Sequence, residues 1–250
     1  MKKVQLKNDI VKNLKTKLSD QKIKVSFGNK INIINPIKEK YEEKILGVKD
    51  LIKSCQNYGA WRILIKEEKM VKVVAFDLVG VLVTEKDIEL SKEEEKLERM
   101  FGPNINDSDY LVAARKIIGR DSIIMNTTET LINKLYIVKD REIFKKVKEE
   151  NKDVKVIIAT NHLSFVRNFI GESFDIAYLD DLIISAEIHK IKPNSDFYEH
   201  ILNKYNINSD ELLFLDDNFN NISAAKMLGI NTIKVNKTTD IMKEIEEFLR

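Results

Sequence analysis

The sequence predicts an α/β protein whose larger part is a doubly wound parallel sheet, preceded by a small α+β domain. Three observations lead there. After Lys72 the run VKVVAFDLVGVLV (71–83) is apolar except for Asp77, as expected of a strand buried on both faces that delivers a carboxylate to its C-terminal edge. Further apolar strands are predicted at 154–160, 182–185, 212–217 and 231–235, separated by helical patterns, the alternation of a parallel sheet. The charge also changes sign near residue 70. Residues 1–70 carry 17 Lys+Arg against 8 Asp+Glu and residues 71–250 carry 25 against 32, which suggests two units of different origin, 1–69 and 70–250.

The front unit is read as α-β-β-α-β. Leu6, Ile10, Leu14 and Leu18 step by four, a helical stripe. Ile23, Val25 and Phe27 alternate with polar residues as a strand, Gly28-Asn29 suits a two-residue hairpin turn, and Ile31 and Ile33 continue on the return strand until Pro36. Ile37, Tyr41, Ile45, Val48, Ile52 and Cys55 form a second helical stripe, and Trp61, Ile63 and Ile65 a third strand. The surplus lysine, with Lys22, Lys24 and Lys30 along the hairpin, leaves two readings open. One is a nucleic-acid-binding face in residues 1–69; the other is a solvated surface on a docking or dimerisation module.

Composition narrows the class further. With 250 residues, 43% hydrophobic and 33% charged, the chain has the make-up of a soluble globular protein long enough to bury a core. A single cysteine, Cys55, excludes an internal disulfide and a thiolate zinc cluster, and the expected compartment is the cytoplasm. The N-terminus is too regularly charged for a signal peptide, and Asp77 splits the best candidate for a membrane span, so no membrane association is expected.

In a doubly wound sheet the C-terminal edge gathers Asp77, Thr160, Lys192 and Asp216-Asp217. Asp77 is a candidate nucleophile toward phosphorus. With Asp77, the acid pair is a candidate site for Mg²⁺, a hard cation that takes carboxylates and water. Thr160, with the backbone N–H groups that follow it, and Lys192 would meet phosphoryl oxygens, and such positioning and charge neutralisation are most of what phosphoryl transfer needs. Each residue alone has a plainer role as a turn or helix cap; four strand ends in the order Asp…Thr…Lys…Asp-Asp favour the joint reading.

With these residues in view, the chain resembles the haloacid dehalogenase-like (HAD) superfamily over about residues 71–249. The resemblance rests on FDLVGVLV, VIIATN, SAEIHKIKPNSDFY (185–198) and LFLDDNFNNISAAKMLGINTIKV (213–235). Receiver domains use similar residue types in a different order, and dehalogenases proper usually lack the acid pair. The resemblance implies a Rossmann-like core and a Mg²⁺-dependent phosphatase acting on a small phosphorylated metabolite through an Asp77 aspartyl phosphate. It further implies that Asp77, Asp216, Asp217 and the Val79 backbone carbonyl hold the metal, and that Thr160, Asn161 and Lys192 bind phosphate. It also implies a small helical cap at about 86–138, for which helices are predicted at 94–100, 109–118 and 128–136. Tyr110, Arg115 and Arg120 are candidate substrate contacts there, with surface roles as the alternative.

Two positions depart from the family pattern. Val79 stands where a second aspartate usually protonates the leaving group, help worth about 10²–10⁴ in rate, or roughly 3–5 kcal/mol of barrier. Three readings stay open: leaving groups that need no proton, a proton borrowed from the cap or a bound water, or a lapsed site kept for binding or scaffolding. Members with a non-acidic residue here are known as phosphatases. His189 replaces a common glycine before Lys192. His189 and His162 are candidate proton sources or ordinary packed or surface imidazoles, and His200 reads as surface.

Overall fold

The computed structural model describes residues 24–27, 31–35, 63–67, 70–102 and 106–249. The chain divides into two units, Met1–Met70 and Val71–Arg250.

In the first unit, strands β1 (Lys24–Phe27), β2 (Ile31–Asn35) and β3 (Ile63–Glu67) form one sheet in that order. β1 and β2 pair antiparallel and β2 and β3 parallel, as the predicted element order requires. Phe27 pairs with Ile31. The Gly28-Asn29 turn, both helical stripes, Trp61, Lys22 and Lys30 lie outside the described residues.

The second unit is built on a five-stranded sheet. Its strands are β4 (Val73–Phe76), β7 (Lys155–Thr160), β8 (Asp181–Ile184), β9 (Leu212–Asp216) and β10 (Asn231–Lys234), in the spatial order β10-β9-β4-β7-β8. All four neighbouring pairs are parallel. Alternate side chains of the central strands enter two separate cores, which is why these strands read as unbroken apolar runs. Val74, Phe76, Ile158 and Leu215 face one core; Val73, Ala75, Ile157 and Phe214 face the other. The first core is closed by Phe144 and Val147 from one helix, Phe169 and Ile170 from a second and Ile245 from the last. The second is closed by Phe197, Ile201, Ile222 and Ala225.

Between the predicted strands lies a pairing that the sequence pattern did not show. β5 (Val83–Glu85) and β6 (Tyr136–Val138) form an antiparallel stem, Val83 opposite Val138. Three residues per strand are too few for a period-2 signal. Val83 is absorbed into the apolar run from Val71, and Tyr136 into the end of a helical stripe. The stem carries three helices, α1 (Lys92–Glu98), α2 (Asp107–Ile118) and α3 (Asp121–Leu135). α1 opens on a capping box, Ser91 with Glu94, a reciprocal arrangement that satisfies two end N–H groups. α3 begins at Asp121, well before the expected start at 128, with an acid in its first turn where the helix dipole favours one.

Tyr110, a candidate substrate contact or surface residue by sequence, is neither. It is fully buried, and its hydroxyl lies 2.6 Å from Thr128 Oγ1. The Thr128 hydroxyl donates to the Ile124 carbonyl at 2.7 Å, so Tyr110 is the donor to Thr128. Arg115 forks onto Asp121 on the surface, and Arg120 is exposed. Thr128→Val keeps the shape and removes the acceptor, stranding a buried hydroxyl. We expect a loss of about 1–3 kcal/mol in urea unfolding, most of it recovered when Tyr110→Phe is added.

Candidate active site

The sheet order changes direction between β4 and β9, and ligands of open α/β sheets bind in the crevice at such a switch point. Phe76 pairs with Leu215 and the Asp77 amide continues the ladder to the Leu215 carbonyl at 2.8 Å. Asp77 and Asp216 are therefore level at adjoining strand ends. After Asp77 the chain turns back sharply, with Leu82 and Val83 both donating to the Leu78 carbonyl. Gly80 sits in this turn at φ +83°, and a Cβ placed on it would fall 2.2 Å from Asp217 Oδ2. Only glycine lets the turn lie against that carboxylate.

Lys192 ties the site together. Its ammonium is completely buried, 2.9 Å from Asp77 Oδ1 and 2.8 Å from Asp216 Oδ2, and 5.3 Å from the centre of the Phe214 ring. Burial favours the neutral amine, but Asp77 and Asp216 outweigh it and hold the lysine charged. Burial also raises the Asp77 carboxyl to about 6, against the pull of Lys192. The loop that brings Lys192 in is clasped from both sides by Asn161, whose Nδ2 donates to the Lys192 carbonyl at 2.9 Å and whose Oδ1 accepts the Lys192 amide at 3.0 Å. Thr160, buried, ends β7 immediately before it.

Asp216 is fully buried and accepts three hydrogen bonds. Oδ1 accepts the Asn218 amide at 2.7 Å, and Oδ2 accepts Asn221 Nδ2 at 3.0 Å as well as Lys192. The cap of the helix Phe219–Met227 is Asn218, whose side chain accepts the Asn220 amide at 2.8 Å. Asn221 escaped the sequence reading, although it stands four residues after Asp217 in an Asn-rich helix start, a spacing that returns a first-turn side chain to the strand end. Its carbonyl accepts the Tyr198 hydroxyl at 2.9 Å.

Asp77, Asp216 and Asp217 each offer an oxygen within 4.8 Å of the others. Three carboxylates against one ammonium leave a local charge of −2, with an all-oxygen donor set. This fits a hard divalent cation such as Mg²⁺. Asp217 is the exposed member, and burial followed by repulsion from Asp216 raises its carboxyl pKa.

The histidines divide differently. His162 is a packed imidazole. Its Nδ1 lies 3.1 Å from the Leu163 carbonyl, so Nε2 is free to accept the Tyr136 hydroxyl at 3.0 Å. The ring lies against Phe101 and Tyr136, and burial lowers its pKa to about 4. His189 is exposed, in the left-handed region at φ 53°, a conformation glycine adopts without cost. His200 is half-buried in the helix Ser195–Tyr205.

This arrangement defines a class. Residues 75–235 match the family described as haloacid dehalogenase-like hydrolase, and the chain belongs to that family. Among solved structures, a predicted HAD-like hydrolase from Porphyromonas gingivalis superposes with a TM-score of 0.57 at 18% identity, covering 72% of this chain and 98% of that one. A HAD-family enzyme from Bacteroides thetaiotaomicron, in complex with magnesium and inorganic phosphate, gives 0.53 at 16% identity, covering 68% and 96%. Mouse bifunctional epoxide hydrolase 2 is 33% identical over 70 residues, 28% of this chain and 13% of that protein. The chain therefore aligns with about an eighth of that relative's length. Among the described residues no helix is long and apolar enough to cross a membrane.

Because the folded pKa of His162 lies below its unfolded value of about 6.5, the unfolded chain takes up the proton first. The stability contribution is complete above about pH 6.5 and is lost as the pH falls toward 4. In paired urea titrations, wild type should lose about 2 kcal/mol relative to His162→Gln between pH 7 and pH 5. A difference independent of pH would show that His162 titrates normally.

Proposed function

We propose that the protein is a Mg²⁺-dependent phosphatase of small phosphorylated metabolites, with Asp77 as nucleophile. The observation that carries this reading is the Asp77 carboxylate held by a buried ammonium at 2.9 Å, beside two further acids within 4.8 Å. A nucleophile must be fixed and ionised, and Lys192 serves both needs. Asp77 attacks phosphorus, the leaving oxygen departs, and water then hydrolyses the aspartyl phosphate. Lys192, Thr160 and Asn161 line the strand ends where phosphoryl oxygens would sit, and Lys192 spreads positive charge toward them. The candidate Mg²⁺ ligands are Asp77, Asp216, Asp217 and the Val79 carbonyl; the ion would neutralise charge on the phosphoryl group. The three-helix insertion is proposed to act as a cap that excludes water and selects the substrate. The Bacteroides relative, solved with magnesium and inorganic phosphate, supports the chemistry as an analogy of fold.

Phosphate release from a panel of phosphorylated metabolites tests the proposal. We expect release with at least one of them, abolished by EDTA and reduced more than about 10³-fold by Asp77→Asn.

A second reading, a lapsed hydrolase kept for binding or scaffolding, draws on Val79, whose side chain packs against the apolar core and offers no proton. The two readings part at Val79→Asp. For an active enzyme, wild type already turns over and the variant changes kcat/KM on alkyl phosphates by less than about tenfold, well short of the roughly 10²–10⁴ that a newly supplied general acid contributes. For a site lapsed through loss of its acid, wild type is silent and the variant gains activity.

A further inference from the structure

Phosphate-ester cleavage leaves an alkoxide in need of a proton, and Val79 cannot supply one. The neighbouring acids are committed elsewhere. Tyr136 donates its hydroxyl proton to His162 Nε2, and His162 is buried with both ring nitrogens engaged. Lys192 is bound between two carboxylates. Lys139 is differently placed. It follows the stem strand β6, and its amide donates to the Leu82 carbonyl at 3.0 Å, which extends the stem to the catalytic turn. Its ammonium donates to the carbonyl of Gly80, the residue next to Val79. Gly80 in turn abuts the Asp217 carboxylate, since a Cβ there would lie 2.2 Å from Oδ2. Lys139 thus holds a cation at the rim of the acid cluster, on the same turn that lacks the usual acid. An ammonium has three N–H donors, and Gly80 takes one. Partial burial lowers the pKa of Lys139, with Asp217 opposing, so its proton is somewhat more easily given than that of a free lysine.

Resting on the phosphatase reading above, we propose that Lys139 is the catalytic acid and base that replaces the missing aspartate. As the Asp77 oxygen bonds to phosphorus and the P–O bond to the leaving group breaks, the Lys139 ammonium gives a proton to the departing oxygen and becomes a neutral amine. The amine then takes a proton from the water that attacks the aspartyl phosphate, which releases inorganic phosphate and restores both Asp77 and the ammonium. The proton on each side of the reaction is accounted for without an outside donor.

The test compares substrates whose leaving groups differ in their need for a proton. Measured as kcat/KM, which reports the first phosphoryl transfer, 4-nitrophenyl phosphate needs little protonation and 2-glycerophosphate needs much. Lys139→Arg keeps the charge and the hydrogen bond to Gly80 but cannot give up its proton at working pH; Lys139→Met removes all three properties. We expect the ratio of aryl to alkyl kcat/KM to rise at least tenfold in both variants, with melting temperatures confirming that they fold. An unchanged ratio, whatever the absolute loss, overturns the role of Lys139 and leaves the phosphatase reading standing. A rise in Lys139→Met alone, with the Arg variant like wild type, also overturns it, because the side chain then only positions the turn. Failure of wild type to release phosphate from either substrate and from the metabolite panel overturns the phosphatase reading, and this proposal with it.

Discussion

A charged lysine with no solvent around it constrains everything at the end of this sheet. Transferring an ammonium from water into a protein interior costs several kcal/mol unless it is paired and hydrogen-bonded. Lys192 is stable there because Asp77 and Asp216 reach it from two adjoining strands. Asp77 depends on the same contact, since burial raises its carboxyl pKa and Lys192 opposes the rise. The register of β4 against β9, the Asn161 clasp on the Lys192 backbone and the Asn221 bond to Asp216 are best understood as supports for this triad. Removing Lys192 would leave two buried carboxylates with no cation between them. Within the second unit the site is therefore a structural element as well as a chemical one.

Around the triad the polar groups grade from committed to available. Asp216 has three of its roughly four lone-pair sites taken by Lys192, Asn218 and Asn221. Asp77 is tied at Oδ1 by Lys192 and the Leu78 amide. Asp217 stands exposed against Gly80. Such a gradient suits a centre that must keep its geometry while ligands exchange at one side. The helical insertion is fixed to the rest of this unit by several contacts close to the same loop. Asp107 accepts the Ser164 amide at 2.9 Å, Asn168 donates to Glu129 at 2.7 Å, and Phe101 and Tyr136 enclose His162. Movement of the insertion would be felt at Thr160-Asn161, which precede His162 directly.

Much of this was readable from residue order. The central strands β4, β7 and β9 announced themselves because both faces are buried and nearly every position is apolar. The acids, Thr160 and Lys192 stood out because polar residues at the ends of such runs have few other reasons to be there. Other features left weaker traces. The stem strands are three residues long, below the length at which alternation can be counted. Tyr110 has a polar tip on an amphipathic helix, and only its burial against Thr128 shows which end matters. Asn221 and Lys139 are ordinary residues in helix and loop whose partners, Asp216 and Gly80, are set by three-dimensional packing.

The apolar run around Asp77, the order of the four strand-end motifs and the absence of an acid at residue 79 are properties of the chain itself, because strand burial and turn chemistry act over a few neighbouring residues. They determined the family and named the candidate nucleophile. Tertiary structure decided what those residues touch. It placed Lys192 between two carboxylates, made His162 a packed imidazole and brought Lys139 across 59 positions of sequence to the turn beside Val79. Such pairings depend on which strands adjoin and how loops return, and local sequence carries almost no record of either.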